Sequence, residues 1–387
     1  MTTKPHKSAL NVMEGIAQPS QINNDLVGKL KKTKSKNLST SDYVEGILSG
    51  NRTILSQAIT LIESSLSSHQ VKAQEIIGEC LKARHASRVT HYRNDSSEQG
   101  PCITGKQANS IRVGITGVPG AGKSTFIEAL GKQLTANGHK LAVLAIDPSS
   151  SKSKGSILGD KTRMEELSVD PNAFIRPSPS AGSLGGVARK TRETIILCES
   201  AGFDVIFVET VGVGQSEIAV HGMVDFFLLL LISGAGDELQ GIKRGIIEMA
   251  DLLVINKADG DNIKKAMMAK TEYSNALHLF PPSDSGWIPC VDTCSSLTRE
   301  GVSNIWNRIA EYRSFTESNG FFHKKRMEQN RQVFYESIEE TLKSNFYSRK
   351  DISVQLKKLE SEIIDGNLNP YIAAHQLLNE YFRSEEK

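Results

Sequence analysis

Ile111-Arg-Val-Gly-Ile-Thr116-Gly117-Val-Pro-Gly-Ala-Gly-Lys123-Ser124 is the stretch that decides the fold of this 387-residue chain. An apolar run of strand length, Ile111–Thr116, leads into a glycine-rich turn. Phe126, Ile127 and Leu130 then recur at helical spacing. Strand, glycine-rich loop ending in Gly-Lys-Ser, and helix are the setting of a phosphate-binding P-loop. Gly117, Gly120 and Gly122, with Val118, Pro119 and Ala121 between them, let successive backbone N–H groups wrap phosphates. Lys123 reaches the β- and γ-phosphates, and Ser124 offers a hydroxyl to Mg²⁺. The loop alone does not choose between ATP and GTP.

Outward from this stretch, short apolar runs alternate with helical segments: Leu141–Ile146, Ala173–Ile175, Val205–Val208, Phe226–Ile232, Leu252–Ile255 and Ile288–Val291. Such alternation predicts an α/β fold, a P-loop NTPase with a largely parallel sheet covered by helices on both faces. Residues 1–38 are polar, carry a lysine run at Lys29–Lys36, and read as a flexible tail. A helical N-terminal subdomain is expected over 39–108. Asn51 would cap a helix carrying Ile54, Leu55, Ala58, Ile59, Ile62 and Leu66, and Ile76, Ile77, Cys80 and Leu81 would repeat the pattern. The nucleotide domain then spans 109–318. The segment 319–387 holds charged amphipathic helices at Lys324–Phe346, Val354–Leu359 and Pro370–Phe382, an arm to be packed on its own domain or on a second subunit.

The base is read further along. Asn256-Lys257-Ala-Asp259 follows the run Leu252–Ile255, about 130 residues after the P-loop. A carboxylate at Asp259 accepts two hydrogen bonds from guanine N1–H and N2–H₂, which adenine cannot supply. Lys257 can lie along the base, and Asn256 can tie this loop to the P-loop. Ser295, Ser296 and Leu297, after the last apolar run, fit the remaining guanine loop.

Mg²⁺ needs hard oxygen ligands besides Ser124. Asp147 and Glu209 end strands and so face the carboxyl edge of the sheet, where phosphates bind. Asp160 is a third candidate, and a helix cap or surface charge is the alternative for each. Gly212, in Thr210-Val-Gly-Val-Gly-Gln215, can donate its N–H to the γ-phosphate from a switch that rearranges on hydrolysis. Many GTPases place a water-orienting Gln directly after that glycine; here the residue is Val213, so unaided hydrolysis is expected to be slow. Lys243 and Arg189 are candidate cations for hydrolysis, with a solvated helix residue as the alternative for either. The catalytic set is thus Lys123, Glu209, Gly212 and Lys243.

Net charge of +2 gives no reason to expect nucleic acid or an anionic membrane as partner. Five scattered cysteines favour a reducing compartment, and the pair Cys290 and Cys294 lacks neighbours that would make a metal site. The longest apolar run is far too short to span a bilayer. A cytoplasmic location is expected, with the mitochondrial matrix as the alternative.

Several longer motifs occur in order: Asp147-Pro-Ser-Ser-Ser, Gly159-Asp-Lys-Thr-Arg-Met164, Arg176-Pro-Ser-Pro179 with Gly185-Gly186, Glu209-Thr-Val-Gly-Val-Gly-Gln-Ser-Glu217 and Gly236-Asp-Glu-Leu-Gln-Gly-Ile-Lys243. From about residue 40 to its end the chain resembles the GTPase chaperones of adenosylcobalamin-dependent methylmalonyl-CoA mutase. Bacterial members of that family were also described as ATPases of a lysine/arginine/ornithine transport system. The resemblance implies that Gly117–Thr125, Asp259 and Ser295–Leu297 contact GTP. It also implies that Ser124, Asp147, Asp160 and Glu209 form the Mg²⁺ region, and that Gly236–Lys243 is a further mobile loop. It further implies a homodimer built by the C-terminal arm. The client would be an acyl-CoA mutase that carries the adenosylcobalamin itself, its loading gated and its activity protected by GTP hydrolysis. Two other readings compete. A nickel-inserting maturation GTPase would carry a His-rich or Cys/His site, and nine scattered histidines do not supply one. An ATP-driven ATPase or kinase of basic amino acid transport is opposed by Asn256–Asp259.

Overall fold

Seven apolar runs become the seven strands of one sheet in the computed structural model, which describes residues 38–93, 110–147, 164–179, 184–210, 216–234 and 244–385. The strands are β1 (Ile111–Gly117), β2 (Leu141–Asp147), β3 (Ala173–Pro179), β4 (Val205–Thr210), β5 (Phe226–Ile232), β6 (Leu252–Asn256) and β7 (Cys290–Thr293). Their order is β3-β2-β4-β1-β5-β6-β7, and every pairing is parallel. The fold is therefore the expected P-loop α/β arrangement. Parallel strands need crossover connections, and these put helices on both faces.

Side-chain alternation divides the core in two. Phe226, Leu228 and Leu230 of β5 point to one face, with Val113 and Ile115 of β1 and Phe207 of β4. Phe227, Leu229 and Leu231 point to the other, with Ile206 and Val208. The first face is covered by α4 (Lys123–Ala136), which follows α1 (Thr40–Leu48), α2 (Arg52–Glu63) and α3 (Ser67–Arg93) in the chain, and by a later helix, Val302–Ser318. The three N-terminal helices lie on the second face. Leu55, Ile59, Ile62 and Ile76 share one continuous cluster with strand residues, so this region is a layer of the main core. Asn51 Oδ1 accepts from the N–H groups of Thr53 and Ile54 at 3.0 and 3.2 Å, the cap the sequence suggested. Leu66 departs from expectation: α2 ends at Glu63 and Leu66 is exposed in the turn beyond it.

The last strand also departs. Ile288 is exposed and pairing begins at Cys290 opposite Leu252, because Pro289 has no N–H to give to a ladder.

Continuing along the chain, the remaining helices are α5 (Glu165–Ser168), α6 (Leu184–Ser200), α7 (Ser216–His221), α8 (Arg244–Glu248), α9 (Ile263–Leu277), α10 (Val302–Ser318), α11 (Phe321–Ser348), α12 (Lys350–Ile364) and α13 (Pro370–Glu385). The arm begins inside the core. On α11, Arg326 grips both carboxylate oxygens of Asp225, at 2.8 and 2.6 Å, and donates to the Ser110 carbonyl at 3.0 Å. Gln329 donates to the Val224 carbonyl at 2.8 Å. Glu199 of α6 joins the same charged group through Arg112, at 2.8 and 3.0 Å, and Arg84, at 3.1 Å. Burial alone would raise the pKa of Asp225 and of Glu199. The guanidiniums, Arg326 for Asp225 and Arg112 for Glu199, outweigh it and hold both carboxyls below the usual range. A cut at the expected boundary near residue 319 would take the Arg326 guanidinium from Asp225 and leave its carboxylate only the Arg112 backbone N–H, at 2.8 Å, a loss of about 3–5 kcal/mol. Past this root, Phe334, Tyr335, Leu342 and Tyr347 lie exposed, while Ile352, Leu377 and Tyr381 pack α12 against α13.

Candidate functional site

Gly117 ends β1 where a Cβ would lie 2.1 Å from the carbonyl oxygen of Leu230 on β5, so no other residue fits. Gly122 has φ +86° at the helix cap, and its missing Cβ leaves room for the Asn256 amide. Between them Val118, Pro119 and Gly120 line the open side of the loop, and Ala121 is fully buried. Lys123 opens α4 with its side chain 9% exposed, and its ammonium donates to the carbonyls of Gly117 at 2.8 Å and Val118 at 3.2 Å. Burial lowers its pKa, and the carboxylates of Glu209 and then Glu217 oppose that shift. Thr125 is exposed on the same first turn.

Glu209 pairs across β4 with Ile115 and Ala145. Pleat alternation sends its side chain to the same face as Phe207, which is the face of α4. There Ser124 Oγ donates to Glu209 Oε1 at 3.3 Å. The next residue, Thr210, points to the opposite face and donates to Thr116 Oγ1 at 2.8 Å, joining β4 to β1 where both strands end.

The base loop is tied to the phosphate loop by one side chain. Asn256, 1% exposed at the end of β6, donates through Nδ2 to the Ala121 carbonyl at 2.8 Å. Its Oδ1 accepts from the backbone N–H of Ser296 at 3.1 Å and from its hydroxyl at 2.8 Å. Ser295 Oγ donates to Asp259 and accepts from the Thr298 N–H at 3.1 Å, which orients the carboxylate. Lys257 is exposed at φ +59°, a conformation rare outside glycine, and it turns the chain sharply after β6. Leu297 is 80% exposed at the rim.

The structure thus brings together the P-loop, Glu209, Asn256, Lys257, Asp259 and Ser295–Leu297 at the carboxyl edge. Asp147 ends β2, the neighbour of β4. Asp160, Gly212, Val213 and Lys243 lie outside the described residues, as does the whole of Gly236–Lys243. Arg189 ion-pairs with Glu193 at 3.0 Å and with Glu340 of α11 at 3.6 Å. Those pairs occupy it as a tie between α6 and the arm. Among the described residues no three His, Cys, Asp or Glu side chains form a metal cluster. The two adjoining oxygens of Ser124 and Glu209 do suit a hard cation completed by phosphates and water. Burial pushes the Cys294 thiol up to about 12, so it is a protonated donor toward Asn256 Oδ1 rather than a metal ligand. Sequence reasoning did not single out Glu217, which is 1% exposed in α7 and whose charge opposes the lowering of the Lys123 pKa.

A family model described as "Methylmalonyl Co-A mutase-associated GTPase MeaB" matches residues 86–351. A Caulobacter vibrioides protein described as a putative GTPase is 47% identical over 332 residues, covering 86% of this chain and 94% of its own. A Mus musculus protein described as methylmalonic aciduria type A homolog, mitochondrial, is 46% identical over 336 residues, covering 87% of this chain and 78% of its own. A crystal structure of an LAO/AO transport system kinase superposes with a TM-score of 0.64 at 34% identity, covering 89% of this chain and 97% of that one.

Proposed function

The chain belongs to the methylmalonyl-CoA mutase-associated GTPase family and is a GTPase, and from that premise we propose that it is a chaperone of methylmalonyl-CoA mutase or a related acyl-CoA mutase, gating adenosylcobalamin loading and protecting the loaded enzyme. The observation that carries the nucleotide part is the Asn256 amide, which fastens the guanine loops to the P-loop as one preformed surface. Backbone N–H groups of Gly117–Thr125 receive the phosphates, Asp259 accepts from guanine, and Lys257 and Ser295–Leu297 flank the base. Ser124 and Glu209, with Asp147 and Asp160, would hold Mg²⁺, which supplies charge neutralisation at the β- and γ-oxygens. Lys123 turns from the Gly117 and Val118 carbonyls to those same oxygens, and the Gly212 N–H adds a donor. Lys243 is the proposed mobile cation. A kinase reading, suggested by the name of the superposed structure, would require ATP, which Asp259 disfavours.

The partner reading rests on the family description and the name of the mouse relative. No helix among the described residues is long and apolar enough to cross a membrane. The five scattered cysteines favour a reducing compartment, and we place the partnership in the cytoplasm, with the mitochondrial matrix, named for the mouse relative, as the alternative. Single-turnover hydrolysis with and without purified apo methylmalonyl-CoA mutase tests it. The chain alone should run well below the roughly 1–100 s⁻¹ of kinases, and the mutase should raise the rate at least about tenfold. By reciprocity the bound nucleotide should change mutase affinity. A fast rate alone, or indifference to every acyl-CoA mutase of the same organism, would leave a GTPase that is no mutase chaperone.

The arm supports a homodimer in this reading, because Phe334, Tyr335 and Leu342 expose an apolar stretch that a second copy can cover. Sedimentation at tens of micromolar should give a dimer. Removing residues after the arm's root, beyond Gln332, should give a folded monomer, and a monomeric full chain would end the proposal.

A further inference from the structure

We propose that Thr210 and Thr116 are positioning residues: the bond between their hydroxyls holds the end of β4 at the distance from the P-loop where Glu209 and Ser124 can share a divalent cation. The inference rests on the proposed metal region of the nucleotide site and names what fixes its width. Glu209 is the last residue of β4 in register with β1, opposite Ile115. Past that pair each strand continues beside its outer neighbour, Thr210 opposite Ile146 of β2 and Gly117 opposite Leu230 of β5. The register between β1 and β4 thus stops while both strands go on. The P-loop leaves from one side of this parting, and Glu209 and Thr210 stand on the other.

Side-chain bonds cross the parting on each face. On the face of α4, Ser124 Oγ donates to Glu209 Oε1 at 3.3 Å. On the opposite face, Thr210 Oγ1 donates to Thr116 Oγ1 at 2.8 Å. Packing does not call for these hydroxyls. Thr210 follows Ile206 and Val208 on its face of β4, all three are fully buried, and a Val would fill the same volume. Thr210 is 0% and Thr116 1% exposed, so water does not compete for the bond. Burying a hydroxyl is costly unless it is paired, and two hydroxyls paired with each other contribute direction more than packing. Direction matters at this place. Mg²⁺ demands near-ideal octahedral geometry, whereas Ca²⁺ accepts variable ligand spacing. Ser124 is fixed by the P-loop and α4, and Glu209 by the strand end that Thr210 pins one residue further on. Without the pin β4 can drift from β1, and the spacing of Ser124 and Glu209 drifts with it.

The test reads Mn²⁺ binding to the GDP-bound protein by paramagnetic resonance, with Ca²⁺ as competitor. Wild type, Thr210→Val, Thr210→Ser, Thr116→Val and the double Val variant are compared, and thermal melting records the fold. Thr210→Val should weaken Mn²⁺ binding about tenfold, the low end of what losing an outer support costs a metal site. Its Ca²⁺ affinity should change by less than about threefold, because Ca²⁺ tolerates the looser spacing. Thr210→Ser keeps the hydroxyl and should stay within about twofold of wild type for Mn²⁺. The double variant should be no weaker than Thr210→Val, since both changes break one bond. GDP affinity without divalent cation should hold within about threefold throughout, because backbone N–H groups still receive the phosphates. Thr210→Val with wild-type Mn²⁺ affinity overturns the inference. So does a loss of metal-free GDP affinity in step with Mn²⁺ binding, or a Thr210→Ser protein as weak as Thr210→Val, either of which marks a merely structural bond. Should Thr210→Val fail to fold, Thr116→Val makes the same comparison. A wild type that binds GDP but no Mn²⁺ overturns the metal region, and one that binds no GDP overturns the nucleotide site, so those failures are told apart from failure of the clasp.

Discussion

Replacing Asp259 by Asn lowers GTP affinity by about two to three orders of magnitude. The exchange preserves shape but turns one acceptor into a donor that opposes guanine N1–H or N2–H₂. Losing charge-assisted hydrogen bonds and leaving donors unpaired costs roughly 3–4 kcal/mol. The loop itself survives, because Asn256 still bridges Ala121 and Ser296 and the Ser295 hydroxyl still has the oxygen of the substituted amide to bond. The loss therefore falls on the base and leaves phosphate binding in place, so GDP suffers as much as GTP. Calorimetry with GTP, GDP and ATP measures it. An unchanged GTP affinity, or a wild type that prefers ATP, would remove Asp259 from base selection.

Lys123→Ala has its effect on the chemistry. The ammonium is buried and rests on two P-loop carbonyls, so it needs only to swing to phosphate oxygens. Removing a preorganised charge aimed at a developing transition-state charge costs at least about two to three orders of magnitude in rate. Binding falls by less, since backbone N–H groups still hold the phosphates. Single-turnover hydrolysis at saturating GTP, with melting to check the fold, separates the two. A variant that turns over at half the wild-type rate would place the transition-state charge elsewhere.

How much of this was legible in the sequence varies with the range of the interaction. The P-loop and the strand ends that carry Glu209 and Asn256 are local patterns, and each stands where its run of residues put it. Even the Asn256 tie could be anticipated, because both loops leave the same sheet edge. Strand β7 slipped by two residues since apolarity at Ile288 outweighed the veto of Pro289. Leu66 looked like one more helical repeat although Ser64 and Ser65 had already ended the turn. The arm's root was hidden for a different reason. Arg326 and Gln329 read as the wet face of an amphipathic helix, and only the distant Asp225 and Val224 carbonyl make them interior residues. Glu217 was hidden likewise: a carboxylate in a first helical turn is ordinarily a favourable surface charge, and nothing local reveals its burial.

The clasp of Arg326 on Asp225 has a consequence for how the molecule can be held. Asp225 immediately precedes β5 and Ser110 immediately precedes β1, whereas the P-loop leaves the far end of β1. Each strand runs seven residues, so the two places lie roughly 20 Å apart at about 3.3 Å per residue. The molecule is thus a tool with its grip at one end and its jaws at the other. A second copy, a tether or a fused protein can take the grip without standing in the doorway of nucleotide exchange. Whatever the grip tells the jaws has to pass along the strands themselves, or through the outer strut that Arg189 and Glu340 form beside them.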